Sequence, residues 1–187
     1  MTTITPQAVP EVLVIEPKKF GDERGFFSET YSAKALAGAG FTLPFVQDNH
    51  SRSPKQGTVR GLHFQAPPFA QDKLLRVTRG AILDVAVDIR KGSPTYGQSV
   101  AVELSAQNWR QLLVPKGFAH GFQTLTEDCE VLYKVTDYYA PESEAGLLWN
   151  DPALGIDWPA GIEAMINARD AAWPVLAKFD SPFVYGA

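Results

Sequence analysis

The chain has 187 residues, 45% of them hydrophobic and 20% charged, with a formal net charge of −4. That length supports one sizeable core and would cramp two domains, so residues 1–187 read as a single domain. The mildly acidic balance, with no clustered basic stretch, argues against nucleic acid or a membrane surface as partner and leaves room only for a local basic site for a small phosphorylated ligand.

In chain order, EVLVIEP (11–17) reads as a strand, and GFFSETY (25–31) alternates Phe27, Glu29 and Tyr31 against Phe26, Ser28 and Thr30. SAKALAGAG (32–40) reads as a short helix capped by Ser32 and closed by glycines. TVRGLHFQ (58–65) is a strand, and KLLRVTRGAILDVAVDIR (73–90) reads as two strands turning at Thr78–Gly80. QSVAVELS (98–105), RQLLVP (110–115), AHGFQTLT (119–126) and CEVLYKVTDYY (129–139) complete the strands. GIEAMINARDAAW (161–173) reads as a second helix, so a helical segment over about 160–175 is expected to pack on the sheets. Many closely spaced strands with little helix predict a mainly β fold: a jelly-roll barrel or sandwich with a ligand-holding lumen and short peripheral helices.

The lone Cys129 excludes an intrachain disulfide and reads as a small buried side chain in a reducing compartment. No long apolar run follows a basic start and no stretch approaches the roughly 20 apolar residues of a membrane span, so a cytoplasmic location is expected.

Strand alternation then assigns faces. Val131, Tyr133 and Val135 share one side, which puts the Tyr133 hydroxyl into a mostly apolar wall, while Lys134 points the other way. His63 and Gln65 share a face opposite Leu62 and Phe64, which suggests a polar lumen. Asp84 and Asp88 share parity with Ala86, and their side is left open.

No Gly-rich loop joins strand to helix, and no Gly-x-Ser-x-Gly elbow occurs, so dinucleotide, P-loop and serine-hydrolase chemistry have no signature. The only histidines are His50, His63 and His120, and Gln65 stands where a His-x-His metal pair would need its second ring, so neither a metal nor any other cofactor is expected. A lone strand histidine is more often structural than catalytic. His63 has company, however: Lys73 on the following strand and the inward Tyr133. A base, a cation for an oxyanion and a proton donor around one lumen suit proton transfer next to a carbonyl. Arg24 and Arg60 suit an anion such as a phosphate, and each precedes a glycine. Arg60 and His63 have opposite parity, so both reach one cavity only if the strand bulges at Gly61.

The segments DERGFFSETY (22–31), QDNHSRSPKQGTVRGLHFQ (47–65), KLLRVTRGAILDVAVDIRKGSPTYG (73–97), PKGFAHGF (115–122), YKVTDYYAPESEAG (133–146) and WNDPALGIDWP (149–159) resemble the dTDP-4-dehydrorhamnose 3,5-epimerase family over about residues 11–176. The resemblance implies a cupin-type jelly roll, a homodimer and a dTDP-4-keto-6-deoxyhexose substrate. It also implies roles: His63 as base paired with Asp170, Tyr133 as acid on the opposite face, and Lys73 beside the enolate oxygen. Arg24 and Arg60 would hold the diphosphate, Glu29, Gln47, Asp48 and Asn49 would lie near the nucleotide, and Tyr139 would stack on thymine. His120, Glu144 and Arg169 fall at ligand-contact positions, Arg169 standing where lysine is common. The activity implied is epimerisation at carbons 3 and 5. The alternatives are epimerisation at one of those carbons in an unusual-sugar route, and a metal-binding or non-catalytic cupin.

Overall fold

The computed structural model describes residues 2–186. The strands are β1 (Thr3–Pro6), β2 (Leu13–Glu16), β3 (Lys19–Asp22), β4 (Gly25–Ser28), β5 (Gln47–Ser53), β6 (Val59–Gln65), β7 (Lys73–Arg79), β8 (Ala81–Asp88), β9 (Ser99–Ser105), β10 (Gln111–Val114), β11 (Phe118–Thr124), β12 (Cys129–Val135) and β13 (Glu144–Gly146). A six-stranded sheet runs β1-β2-β10-β7-β12-β5, and a five-stranded sheet runs β13-β6-β11-β8-β9. The two form an antiparallel sandwich of the jelly-roll kind expected. β3 and β4 pair only with each other, as a separate hairpin.

Two sheets give three apolar layers. Val14, Leu75, Val77, Leu112 and Val131 of the six-stranded sheet meet Ile82, Ala86, Leu104, Phe118 and Phe122 of the other to fill one end of the sandwich. Leu62, Phe64, Val85, Val87 and Ala119 face outward from the five-stranded sheet under Leu147, Leu154 and Phe183. Ile15, Leu74 and Leu113 face outward from the six-stranded sheet under Leu36 of helix α1 (Ala33–Gly38). Ser32 caps that helix through the Ala35 N–H, as its sequence predicts.

The strongest departure from the sequence reading lies at 160–175, where no α-helix forms. Ile162, Met165 and Ile166 have helical spacing, yet burial alternates residue by residue from 161 to 166, as in extended chain. The reason is an open sheet edge. β13 covers β6 only at His63–Gln65, so the strap takes the free edge: Val59 N–H donates to Met165 O and Met165 N–H to Gly57 O, both at 2.8 Å. Two 3₁₀ turns follow, Asp170–Ala172 and, beyond the segment, Leu176–Lys178.

The bulge required at Gly61 is present. His120 pairs with His63 and Phe122 with Arg60, so two residues of β6 stand against one of β11. Gly61 takes φ +126°, and a Cβ there would fall 2.5 Å from Gly121 Cα and 2.8 Å from His120 O. Backbone meets backbone, so nothing can yield cheaply. Gly61→Ala is therefore expected to destabilise by at least about 2 kcal/mol, read in a thermal melt as a Tm lower by roughly 4–8 °C.

Candidate active site

At the β5, β6 and β13 end, the space between the sheets turns polar. A cavity of about 250 Å³ is lined by Arg60, His63, Lys73, His120, Tyr133, Glu144, Arg169 and Asp170, with Ser51, Leu75, Phe122 and Asn167. It adjoins a second hollow of about 360 Å³ that shares His63, Lys73, Tyr133 and Glu144 and adds Gln47, Asn49, Gln71 and Tyr139.

His63 and Asp170 come together from 107 positions apart, Nε2 donating to Oδ1 at 2.8 Å. The carboxylate is built in, being wholly buried. Its backbone N–H donates to Asn167 Oδ1 at 2.7 Å, and its Oδ2 accepts the Gly61 N–H at 3.3 Å. The Trp173 ring stands edge-on to the imidazole at 6.5 Å. Burial holds the His63 pKa below the ordinary imidazole value, against the opposing pull of Asp170. The ring is therefore neutral near pH 7, and Nδ1, with no protein partner among the described residues, is left to accept a proton.

Tyr133 lies across the cavity on the opposing sheet. Burial pushes its pKa above that of a free phenol, which keeps the hydroxyl a donor. Lys73, on the same sheet, is held down to about 8 by burial, opposed by the charges of Asp84 and Glu144. It is a cation close to its titration point in a low-dielectric cavity.

Arg60 shares the cavity with His63, as the bulge requires. Its guanidinium is held by Ser53 Oγ at 3.2 Å and Arg52 O at 3.4 Å, with no carboxylate partner among the described residues. That leaves its charge for an incoming anion. At the mouth, Glu144 accepts from Tyr139 Oη and from Arg169, each at 2.9 Å. Arg169 also donates to Asp170 Oδ1 at 3.2 Å.

Three expected site residues lie elsewhere. Asp48 faces the opposite side of β5 from Gln47 and Asn49, paired to Lys134 at 3.0 Å, because neighbours on a strand alternate. Glu29 lines a hollow with Asp48, Arg76 and Lys134 on that outer face. Arg24, its side chain 85% exposed, is paired to Asp22 at the tip of the β3–β4 hairpin.

The sequence reading missed Asp84, whose strand face it left open, and also Ser51, Asn167 and Trp173. Asn167, three residues before Asp170, had a legible capping pattern. Trp173 had none: it fits because Gly146, opposite His63 on β13, has no Cβ to meet its indole. Gln65, in the place of a second metal histidine, instead staples loops, donating to Phe69 O and Tyr138 O and accepting from Ala140 N.

Comparison with known proteins identifies the family. The profile of the dTDP-4-dehydrorhamnose 3,5-epimerase family matches residues 6–178. The dTDP-4-dehydrorhamnose 3,5-epimerase of Salmonella typhimurium is 55% identical over 177 residues, which is 94% of this chain and 96% of that protein. A crystal structure of the Legionella pneumophila dTDP-6-deoxy-D-glucose-3,5-epimerase in complex with dTDP-4-keto-L-rhamnose superposes with a TM-score of 0.95 at 48% identity, covering 100% of both chains. A 3'-monoepimerase from Streptomyces bikiniensis, in complex with dTDP-quinovose, superposes at 0.87 with 34% identity, covering 92% of this chain and 87% of that one. The chain belongs to the dTDP-4-dehydrorhamnose 3,5-epimerase family.

Proposed function

We propose that this protein epimerises dTDP-4-dehydro-6-deoxy-D-glucose at carbons 3 and 5, giving dTDP-4-dehydro-L-rhamnose, an isomerase step of dTDP-rhamnose biosynthesis. The carrying observation is the His63–Asp170 couple on one sheet, facing Tyr133 on the other across a cavity that holds Lys73. A ketone at carbon 4 acidifies the C–H bonds of both neighbouring carbons. His63 takes one proton through Nδ1, and the bond's electron pair moves onto the carbonyl oxygen. Lys73 holds the resulting enolate. Tyr133 returns a proton from the opposite face and that carbon is inverted. His63 then releases its proton to solvent and Tyr133 regains one from it; the same cycle at the second carbon completes the product, and electrons balance without an oxidant or reductant.

Asp170 orients His63 and supports its charge once protonated. Arg60 takes the diphosphate, and Gln47 and Asn49 the nucleotide, beside Tyr139 as a stacking surface for the base. The working unit is a homodimer of single-domain chains acting in the cytoplasm. Supporting the dimer, the β3–β4 hairpin carries Phe20, Phe26 and Phe27 more than half exposed and packs into no sheet of its own chain. Arg24 and Glu29 then serve the partner's site rather than their own.

Incubation with the 4-keto substrate in deuterated water, followed by NMR, is expected to place label at both carbons; label at one carbon alone overturns double inversion in favour of a single-site epimerase. His63→Ala is expected to abolish turnover and leave dTDP binding intact, because the nucleotide contacts lie elsewhere. The pH profile follows from His63, which must be neutral to act. The acid limb of kcat is expected below 6.5, the ordinary imidazole value. Asp170→Asn removes a charge that raises the His63 pKa, so the limb moves to lower pH while kcat falls about 10²–10⁴-fold. For the dimer, inactive His63→Ala chains mixed and refolded with Arg24→Ala chains should recover activity above either alone, since one site of each heterodimer regains both residues. Absence of recovery rejects the shared site.

A further inference from the structure

Asp84, on β8, is wholly buried, and it points into the space between the sheets. Its Oδ1 accepts from His120 Nε2 at 2.5 Å. Its Oδ2 meets no donor among the described residues. A buried carboxylate oxygen without a donor weakens a fold. The same strand shows that the chain can satisfy such a group: Asp88, equally buried, accepts from Arg90, Ser93 and Thr95 with both oxygens. Packing therefore gives no account of Asp84.

Its surroundings do. His120 is the cross-strand partner of His63, and each ring meets its carboxylate through Nε2. Each Nδ1 is consequently left without a protein partner among the described residues, and both histidines line one cavity. The structure thus contains a second histidine–carboxylate couple beside the first. The two differ in one respect. Asp170 stands with Arg169, whereas the charge of Asp84 raises the pKa of Lys73 against its burial.

We propose that Asp84 is a positioning residue for the carbonyl-oxygen end of the cavity: it fixes His120 by Nε2 with Nδ1 turned to the substrate, and its buried negative charge sustains the Lys73 ammonium that holds the enolate oxygen. The assignment rests on reading the cavity as an enolate-forming site. In the step concerned, the proton leaves carbon for His63, the electron pair moves to the carbonyl oxygen, and Asp84 acts on that oxygen only through Lys73 and His120. The ionisable side chains facing Lys73 are His63 from β6, Asp84 from β8, His120 from β11, Tyr133 from β12 and Glu144 from β13, with Arg60, Arg169 and Asp170 elsewhere on the cavity wall.

The test is Asp84→Asn, assayed by deuterium exchange under conditions where the unaltered protein exchanges. The expected result is a kcat lower by about 10²-fold with KM for the sugar nucleotide within about threefold. The alkaline limb of the pH profile moves to lower pH, because Lys73, at about 8 in the unaltered protein, loses a charge that raises its pKa. A purely structural Asp84 would lower Tm and leave kcat and the alkaline limb in place, and that result overturns the proposal. NMR of ¹⁵N-histidine-labelled unaltered protein needs no variant: His120 is expected to carry its proton on Nε2, and an unprotonated Nε2 overturns the assignment even if Asp84→Asn does not fold. Failure of the unaltered protein to exchange at either carbon would instead reject the epimerase reading itself.

Discussion

The site depends on what the two oxygens of Asp170 hold. Oδ1 takes the His63 ring and Oδ2 takes the Gly61 amide, so one carboxylate grips β6 at its bulge and at its base. The bulge is what brings Arg60 to the same side as His63. A single buried charge from the C-terminal strap thus fixes the backbone that brings Arg60 and His63 into one cavity. Burial of this kind is tolerable because the charge is well satisfied: His63, Gly61 and Arg169 all donate to it, and together they outweigh the burial that would raise its pKa, leaving it below the ordinary carboxylate value.

The sandwich separates two demands along its own length. At one end the inner faces are Val, Leu, Ile and Phe, and this end supplies the hydrophobic stabilisation. At the other the same inner faces carry Arg60, His63, Lys73, His120 and Tyr133. Strand register makes the division possible. On β7, Lys73, Leu75 and Val77 lie on one face, so the charged head of the row enters the cavity while its tail enters the core. On β12, Val131 anchors the row in the core and Tyr133 opens on the cavity. Lys73 and Tyr133 are thus each followed or preceded, on the same face of their strand, by a residue packed in the core.

Where hydrophobic alternation marked a strand, the sequence was readable: β6, β7, β8, β9 and β12 stand where their patterns put them. β5 was invisible because QDNHSRS contains no apolar residue. It is a strand nonetheless, with Gln47, Asn49 and Ser51 turned inward and Asp48, His50 and Arg52 turned out. Hydrogen bonding to β12 holds it, not burial. The 161–173 segment failed the opposite way: its apolar spacing is helical, but a free edge on β6 offered its backbone better partners. Neither outcome is encoded locally, since each depends on a neighbour distant in sequence. His63 and Tyr133 were legible by face and Lys73 by its place on the next strand, while His120 came only with the family resemblance. Asp170 was tied to His63 only through family resemblance, because a contact spanning 107 positions leaves no local trace.

Arg24, Glu29 and Asp48 sharpen that limit. The family resemblance groups them with the site, and alternation alone would have separated Asp48 from Gln47 and Asn49. Its pairing with Lys134 across β5 and β12 neutralises a charge on the outer face, where β7 also places Arg76. Arg24 and Glu29 belong to a different case. Arg24 sits at the tip of a hairpin that joins neither sheet, and Glu29, one residue past that hairpin, is carried to the outer face of the six-stranded sheet. An exposed hairpin with three phenylalanines is poorly matched to water. A second copy that covers it would join the apolar surface, the unused arginine and the anion-binding mouth in one arrangement. On the proposed reading, the cavity within one chain holds His63, Lys73 and Tyr133, and a second chain would bring Arg24 to the charged end of the substrate.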